Sequence, residues 1–301
     1  MMVLWILVLL IAIASEFSHS TRTEINTTKN FKEEVESYYL AQAGVNLALA
    51  EILQNSEYHA LDQEGEILFG RKNLPESLNS NSRKNIELGK GSFSYSIKDE
   101  NVKLNLNTLP KPTIKKMLEG SGVKMGSLRD IIADSIMDWR DKDNLHRLNG
   151  AEDDYYMTLT PPYESKDGFF DSVEELLWVK GMTKEILYGT EDPQILDSSN
   201  QEFLGIFDIL TVQNIEFINP NTADKIVLEI LYPIQKVEEI LTLRELKGRY
   251  DNSKSSHFVV ESTGFSSNSS TQRTIRVNLE KIGQGFTSFL VTRSWNDNLL
   301  P

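Results

Sequence analysis

The chain has 301 residues, 40% hydrophobic and 25% charged, enough for two compact domains or one large one. Its formal net charge of −13 sets it against nucleic-acid phosphate and towards cations or basic protein partners. It has no cysteine, which removes thiol nucleophiles, disulfides and cysteine-type zinc sites together; carboxylate-held calcium is one staple still open to an exported chain.

Met1 to Ala14 carry no charge, and a polar, helix-compatible segment with Glu16, His19, Arg22 and Glu24 follows. The apolar run is shorter than the ~20 residues that cross a bilayer. A cleaved signal peptide would need a basic start, which is missing, although Ala12-Ile13-Ala14 loosely imitates a cleavage site. A short membrane anchor is the alternative, extended by a third reading in which the run is the top of one long helix. No proline precedes Pro75 and no glycine precedes Gly44, so nothing breaks that helix. Phe31, Val35, Tyr38, Val45, Leu49 and Ile52 recur at three- and four-residue steps and predict its core-facing side. Ala41, Ala43, Gly44, Ala48 and Ala50 keep it slender enough for close packing.

Residues 55–90 read as polar and turn-rich, with Asn79 to Ser82 as a loop. Gly91 to Asn101 alternates and predicts a half-buried strand with Phe93, Tyr95 and Ile97 on one face. A helical region then runs from about Leu104 to Gly248. It holds a faint internal repeat: Asn105-Leu106-Asn107-Thr108 precedes a helix at Ile114–Leu118, and Asn219-Pro220-Asn221-Thr222 precedes one at Ala223–Leu231. Each Asn/Thr turn is expected to offer side-chain oxygens to the bare amides of a helix start. Each is followed by a further amphipathic helix, Leu128–Trp139 and Ile234–Leu241. Ser172–Lys180, Gly181-Met182 and Thr183–Leu187 read as helix, tight turn, helix. His257–Thr263, Gln272–Leu279 and Phe286–Arg293 alternate and predict an antiparallel meander. The strand near residue 95 lies far upstream of these, so the helical region reads as an insertion into one sheet.

Asp138, Asp141, Asp143, Glu152, Asp153 and Asp154 crowd into residues 138–154, interleaved with Trp139, Tyr155 and Tyr156 and continuing to Asp167 and Asp171. Calcium takes six to eight oxygens in a flexible shell, which such a loop can supply, although the spacing does not fit an EF-hand. A solvated acidic loop is the competing reading. Val179-Lys180-Gly181-Met182 resembles the turn of a helix-hairpin-helix, which clasps nucleic-acid phosphate; its glutamate neighbours Glu174, Glu175 and Glu185 oppose that use. His19, His59, His146 and His257 are scattered and form no ligand pair, and neither a nucleophile elbow nor a phosphate-cradling glycine loop is present.

Met2 to Leu7, Asn105 to Thr108, Asp138-Trp139-Arg140-Asp141, Asn149 to Tyr156 and Phe170 to Leu177 occur in that order. Together they resemble the K-type minor pseudopilins of type II secretion systems (general secretion pathway protein K) over nearly the whole chain. The resemblance implies an α+β fold: a pilin-like long N-terminal helix on an antiparallel sheet, with a large inserted α-helical domain of SAM-like or helix-hairpin-helix-like units. The corresponding division is an apolar membrane or fibre-core segment at 1–30, with Leu4, Trp5, Leu7, Leu10 and Ile13 in the fibre core. The pilin-like helix and first strands then occupy 31–103, the insertion 104–248 and the final strands 249–301.

The resemblance further implies a non-enzymatic subunit at the tip of a periplasmic pseudopilus that supports protein export. It would be anchored by a single pass in the bacterial inner membrane, with minor pseudopilins I and J and the other fibre pseudopilins as partners and no nucleic acid. Calcium in the insertion is carried onto Asp138, Asp141, Asp143, Glu152, Asp153, Asp154 and Asp171. Members are made with a basic leader that is cut and methylated; no such leader stands ahead of the apolar run here, so the processing site is undecided. The first acid is Glu16, in keeping with the K-type subunit's lack of the glutamate other pilin-like subunits carry at the fifth mature position. The rival from another class is a membrane-tethered helix-hairpin-helix nucleic-acid-binding protein. A calcium-dependent hydrolase is disfavoured by the missing catalytic spacing.

Overall fold

A computed structural model describes residues 2–54, 56–61, 65–70, 83–190, 204–267, 271–283 and 285–299. By its contacts the chain forms two units: one of residues 1–57, 62–98 and 256–301, the other of residues 58–61 and 99–255.

The first unit is built on α1 (Met2–Leu53), a single helix of 52 residues. The hydroxyls of Thr21, Thr23 and Thr27 donate to the carbonyls of Phe17, His19 and Thr23, so these polar side chains stay within the helix's own backbone. The upper half is bare: Leu4, Trp5, Leu7, Leu10 and Ile13 are all exposed, in a stretch long and apolar enough to cross a membrane. The lower half is buried along Glu33, Ser37, Leu40, Ala41, Gly44, Val45, Ala48 and Ile52.

That buried line differs from the stripe expected from hydrophobicity. Phe31 and Val35 are exposed, and the small or polar Glu33, Ser37 and Gly44 face inward instead. The physical reason is proximity, because the helix lies almost directly on a strand and leaves no room for large side chains. A Cβ on Gly264 of the sheet would meet the Ser37 carbonyl, the Ala41 amide at 2.5 Å and Leu40 Cβ at 2.8 Å. Thr271 Oγ1 donates to the inward Glu33 at 3.2 Å, and Arg273 pairs with Glu34.

Two four-residue strands, β1 (Tyr58–Leu61) and β2 (Ile67–Gly70), and a three-residue one, β3 (Ile86–Leu88), lie in the region expected to be turns. They are too short to show alternation in sequence. The predicted loop at Asn79 to Ser82 lies outside the described residues. β3 pairs antiparallel with β4 (Gly91–Asp99), setting Ile86 against Phe93. Ile67 and Phe69 of β2 and Ile97 of β4 join Val45, Ala48 and Ile52 of α1 in one core.

The second unit begins at Asp99. β5 (Leu104–Asn105) leads to α2 (Lys111–Gly120), α3 (Ser127–Arg140) and the single turn α4 (Asp153–Tyr156). A 3₁₀ turn at Val173–Trp178 and α5 (Lys184–Tyr188) form the expected helix–turn–helix. β6 (Leu210–Thr211) pairs parallel with β5, and α6 (Lys225–Leu231) and α7 (Ile234–Lys247) complete the unit. Its core includes Leu106, Ile114, Leu118, Ile136, Tyr156 and Leu228.

The sheet of the first unit resumes with β7 (His257–Phe265), β8 (Gln272–Ile282) and β9 (Phe289–Leu299), in the order β3-β4-β7-β8-β9. The β7–β8 and β8–β9 ladders are antiparallel, running from His257 against Glu280 and from Ile282 against Phe289. β7 and β4 are therefore neighbours in space although the whole second unit separates them in sequence.

The repeated Asn/Thr turns are real but do not cap helices. Asn105 Oδ1 accepts the Asn107 amide, and Asn219 Oδ1 accepts the Asn221 amide, both at 3.0 Å. The second asparagine of each turn clamps distant backbone: Asn107 exchanges two hydrogen bonds with Phe170, and Asn221 accepts from the Tyr250 and Asp251 amides. The helices start further on, after Pro110 and Asp224, neither of which makes a side-chain cap. An Asx turn closes on the amide two residues ahead, which lies short of the helix.

Candidate functional site

α3 places Asp134 and Asp138 one turn apart on one face, and Asp141 follows its last residue. The segment from Asp141 to Ala151 folds back over these carboxylates. Asp138 is fully buried; its Oδ2 accepts the amides of Arg147 and Ala151 at 3.0 Å. Gly150 has no side chain because its Cβ would strike that carboxylate. Arg147 Nη1 donates to Asp138 Oδ1 at 2.5 Å and to Asp141 Oδ2 at 2.6 Å. Burial pushes the Asp138 carboxyl above its ordinary pKa, and the Arg147 guanidinium opposes that rise. Asn149 Nδ2 donates to Asp134 at 3.1 Å, and Lys111 pairs with Asp134.

Glu152 comes next and is 1% exposed, yet neither of its carboxylate oxygens accepts a hydrogen bond. Burial raises its pKa to about 7, and the charges of Asp138, Asp167 and Asp141 add to the rise. The Ser165 hydroxyl lies close enough to temper this but sits within reach of Asp153 at 2.8 Å and Asp167 at 3.0 Å. Asp141 Oδ1 is likewise buried and unpartnered. A buried carboxylate oxygen with nothing to accept is costly unless the group takes up a proton or meets a cation.

The seven expected ligands thus separate. Asp138, Asp141 and Glu152 come together. Asp143 accepts the Leu145 amide in an exposed turn. Asp153 is engaged by Ser165 and Asn144, which hold its pKa below the usual range. Asp154 is exposed, and Asp171 pairs with Lys166 at the surface. Among the described residues no three acidic or imidazole side chains close on one point as a ready-made metal cage. Arg147, Ser165 and Asp167 belong to the site but were outside the candidate set. Only Asp167 had a signal in sequence, as a carboxylate in the same polar stretch.

Aromatic rings floor the site. Trp139 packs against Tyr156, Tyr163 and Phe170 at centroid distances of 5.2, 6.3 and 6.4 Å. Arg140 ties α3 to the first repeat turn by donating to the Leu106 carbonyl at 2.6 Å and the Leu109 carbonyl at 2.5 Å.

The helix-hairpin-helix turn is spent internally. Gly181 takes φ 84°, and a Cβ there would meet Ile132 Cγ1 at 3.0 Å. Lys180 Nζ donates to the Gly150 carbonyl at 3.1 Å and sits 4.4 Å above the Tyr155 ring. Its turn packs on α3 and its charge is directed at the loop over Asp138.

The family model for type II secretion system protein K, first domain, matches residues 100–189, which contain this whole site. A provisionally named type II secretion system protein K of Escherichia coli (strain K12) is 25% identical over 199 residues, 62% of this chain and 58% of its own length. The type II secretion system protein K of Aeromonas hydrophila is 25% identical over 269 residues, 82% of this chain and 75% of its own. The fold matches a chain in the solved GspK–GspI–GspJ complex of enterotoxigenic Escherichia coli with a TM-score of 0.55 at 16% identity, covering 93% of this chain and all of that one. The long helix on its sheet, the unit inserted between β4 and β7 and the matched segment around Asp138 agree in what they resemble: the chain is similar to type II secretion system protein K, in sequence most clearly over residues 100–189.

Proposed function

We propose that this chain is a non-enzymatic minor pseudopilin that caps the tip of a type II secretion pseudopilus and so supports protein export. The observation that carries the reading is α1: one unbroken helix, packed on a sheet at its lower end and bare and apolar at its upper end. Such an end needs a hydrophobic surround, first the inner membrane and then the helical core of a fibre. The bulk of the chain then lies in the periplasm. The unit at residues 99–255 adds bulk to the pilin-like part, and that bulk supports a position at the tip, with no subunit stacked above it.

The partners proposed are minor pseudopilins I and J, which the related solved complex contains with its K subunit. The full chain, purified in detergent and mixed with the I and J pseudopilins of the same system, is expected to form a stoichiometric complex. A folded chain that binds neither would refute the reading.

Calcium is the proposed ion of the inserted unit. Glu152 and Asp141 hold the three bare oxygens, and Asp138 and Asp167 complete the negative charge around them. The ion would supply positive charge to buried carboxylates and order residues 141–167. Calorimetric titration of the full chain should show calcium binding that Glu152→Gln weakens about tenfold or more, since one bare carboxylate is lost. Binding unchanged by that substitution would remove Glu152 from the site.

A further inference from the structure

We propose that Arg147 is a built-in counter-cation, which competes with the divalent ion for the carboxylates at the end of α3 and must withdraw its guanidinium when the ion binds. The inference rests on the calcium reading above. One nitrogen, Arg147 Nη1, sits between Asp138 Oδ1 and Asp141 Oδ2, a bridging position that a metal ion would otherwise take. A guanidinium only donates, so it serves as no ligand, and its positive charge repels an incoming cation. Asp141 is split by this contact, with Oδ2 held by arginine and Oδ1 left bare.

The geometry also lets arginine leave. Its side chain is 34% exposed, whereas the Asp138 side chain is 0% exposed. The Arg147 and Ala151 amides hold Asp138 Oδ2 by themselves, so the loop keeps its anchor without the guanidinium. The other nearby cations are committed: Arg140 to the Leu106 and Leu109 carbonyls, and Lys166 to Asp171 and Glu175. Arg147 pairs with Asp138 and Asp141, while Glu152 feels the charges of Asp138, Asp167 and Asp141 without an arginine beside it, so negative charge is left over for a divalent ion to meet. Competition accounts for two facts at once. The carboxylates gather without closing into a cage, and the Arg147 guanidinium engages Asp138 and Asp141 while the Glu152 oxygens stay bare.

The test uses the full chain in detergent, as wild type, Arg147→Met and Arg147→Lys. Calcium affinity is read by calorimetry, and terbium binding by luminescence sensitised through Trp139 and Tyr156. Arg147→Met is expected to tighten calcium about tenfold or more, because a nearby like charge is gone and two carboxylate oxygens are freed. Arg147→Lys should fall between the two. Binding by the variant alone would support the proposal in its strongest form. Unchanged or weaker calcium binding in Arg147→Met would overturn it, making Arg147 a positioning residue that helps the site. If neither protein binds calcium or terbium, the calcium reading falls as well. Should the variants not fold, the wild-type Arg147 guanidinium Nη1–H signal decides: calcium must convert it from protected to freely exchanging, and persistent protection refutes displacement.

Discussion

Gly264→Ala is the sharpest probe of how α1 meets the sheet. The added methyl would stand 2.5 Å from the Ala41 amide nitrogen and 2.8 Å from Leu40 Cβ, and closer still to the Ser37 carbonyl. Carbon contacts settle at about 3.5–4 Å, so the helix must retreat by roughly 1 Å. Two of the three obstacles are backbone, which no side-chain rotation relieves. A gap of that size forfeits a quarter to a half of the dispersion contact of Ala41, Val45, Ala48 and Ile52 with the sheet. The expected loss is about 3 kcal/mol, the upper end for overpacking. Gly44→Ala is the control. Its methyl would meet the Ser262 hydroxyl and the Phe93 ring at 2.9 Å, side-chain obstacles with no backbone among them. Replacing a helical glycine also gains about 1 kcal/mol of propensity, so its net cost should stay below ~1 kcal/mol. Urea unfolding gives the totals. Hydrogen exchange locates them: residues 40–52 and 257–265 should lose protection in Gly264→Ala while 127–140 keep theirs. A Gly264→Ala chain as protected as wild type, or a Gly44→Ala chain that is worse, refutes the close-contact argument.

Other perturbations test separate parts. Asp99 is fully buried and accepts from Thr222 Oγ1 at 2.6 Å, from the Asn101 amide at 2.8 Å and from Ser255; burial raises its pKa to about 6. Because its folded pKa lies above its unfolded 3.8, the folded chain binds more proton between those values, and stability rises as pH falls from 7 through about 6 towards 4. The full span is on the order of 3 kcal/mol. In a Glu152→Gln background the urea midpoint should climb on acidification from pH 7.5 to 5, and Asp99→Asn should flatten that climb; a falling midpoint contradicts the assignment. Arg83 is buried and forks onto Glu51 at 2.5 and 3.1 Å while reaching Glu66 at 3.3 Å. Arg83→Met should cost about 3 kcal/mol by removing the cation between the Glu51 and Glu66 carboxylates, and adding Glu51→Gln should recover part of it in the same unfolding assay. Trp139→Ala should cost about 4 kcal/mol through the hole left among Tyr156, Tyr163 and Phe170. The melting temperature of the second unit checks this, with hydrogen exchange in 257–265 expected to stay unchanged.

Periodicity and local chemistry carried the linear features of this protein. Unbroken helix-forming sequence up to Gly44 and the alternation at 91–101 and 257–293 identified α1 and the long strands. The two Asn-x-Asn-Thr turns exposed the repeat. What those turns bind was not legible, because Asn107 and Asn221 reach backbone at Phe170 and Tyr250, far along the chain. The buried side of α1 was misjudged for the same reason: hydrophobicity marks which residues prefer burial, whereas the approach of Gly264 decided which ones fit. Carboxylate density drew attention to residues 138–171, yet only folding sorted it. Burial stripped Glu152 of partners, the backbone of the loop claimed Asp138, and Arg147 fell between two acids. Which charge meets which depends on distances set by tertiary contacts, and spacing in sequence does not encode them.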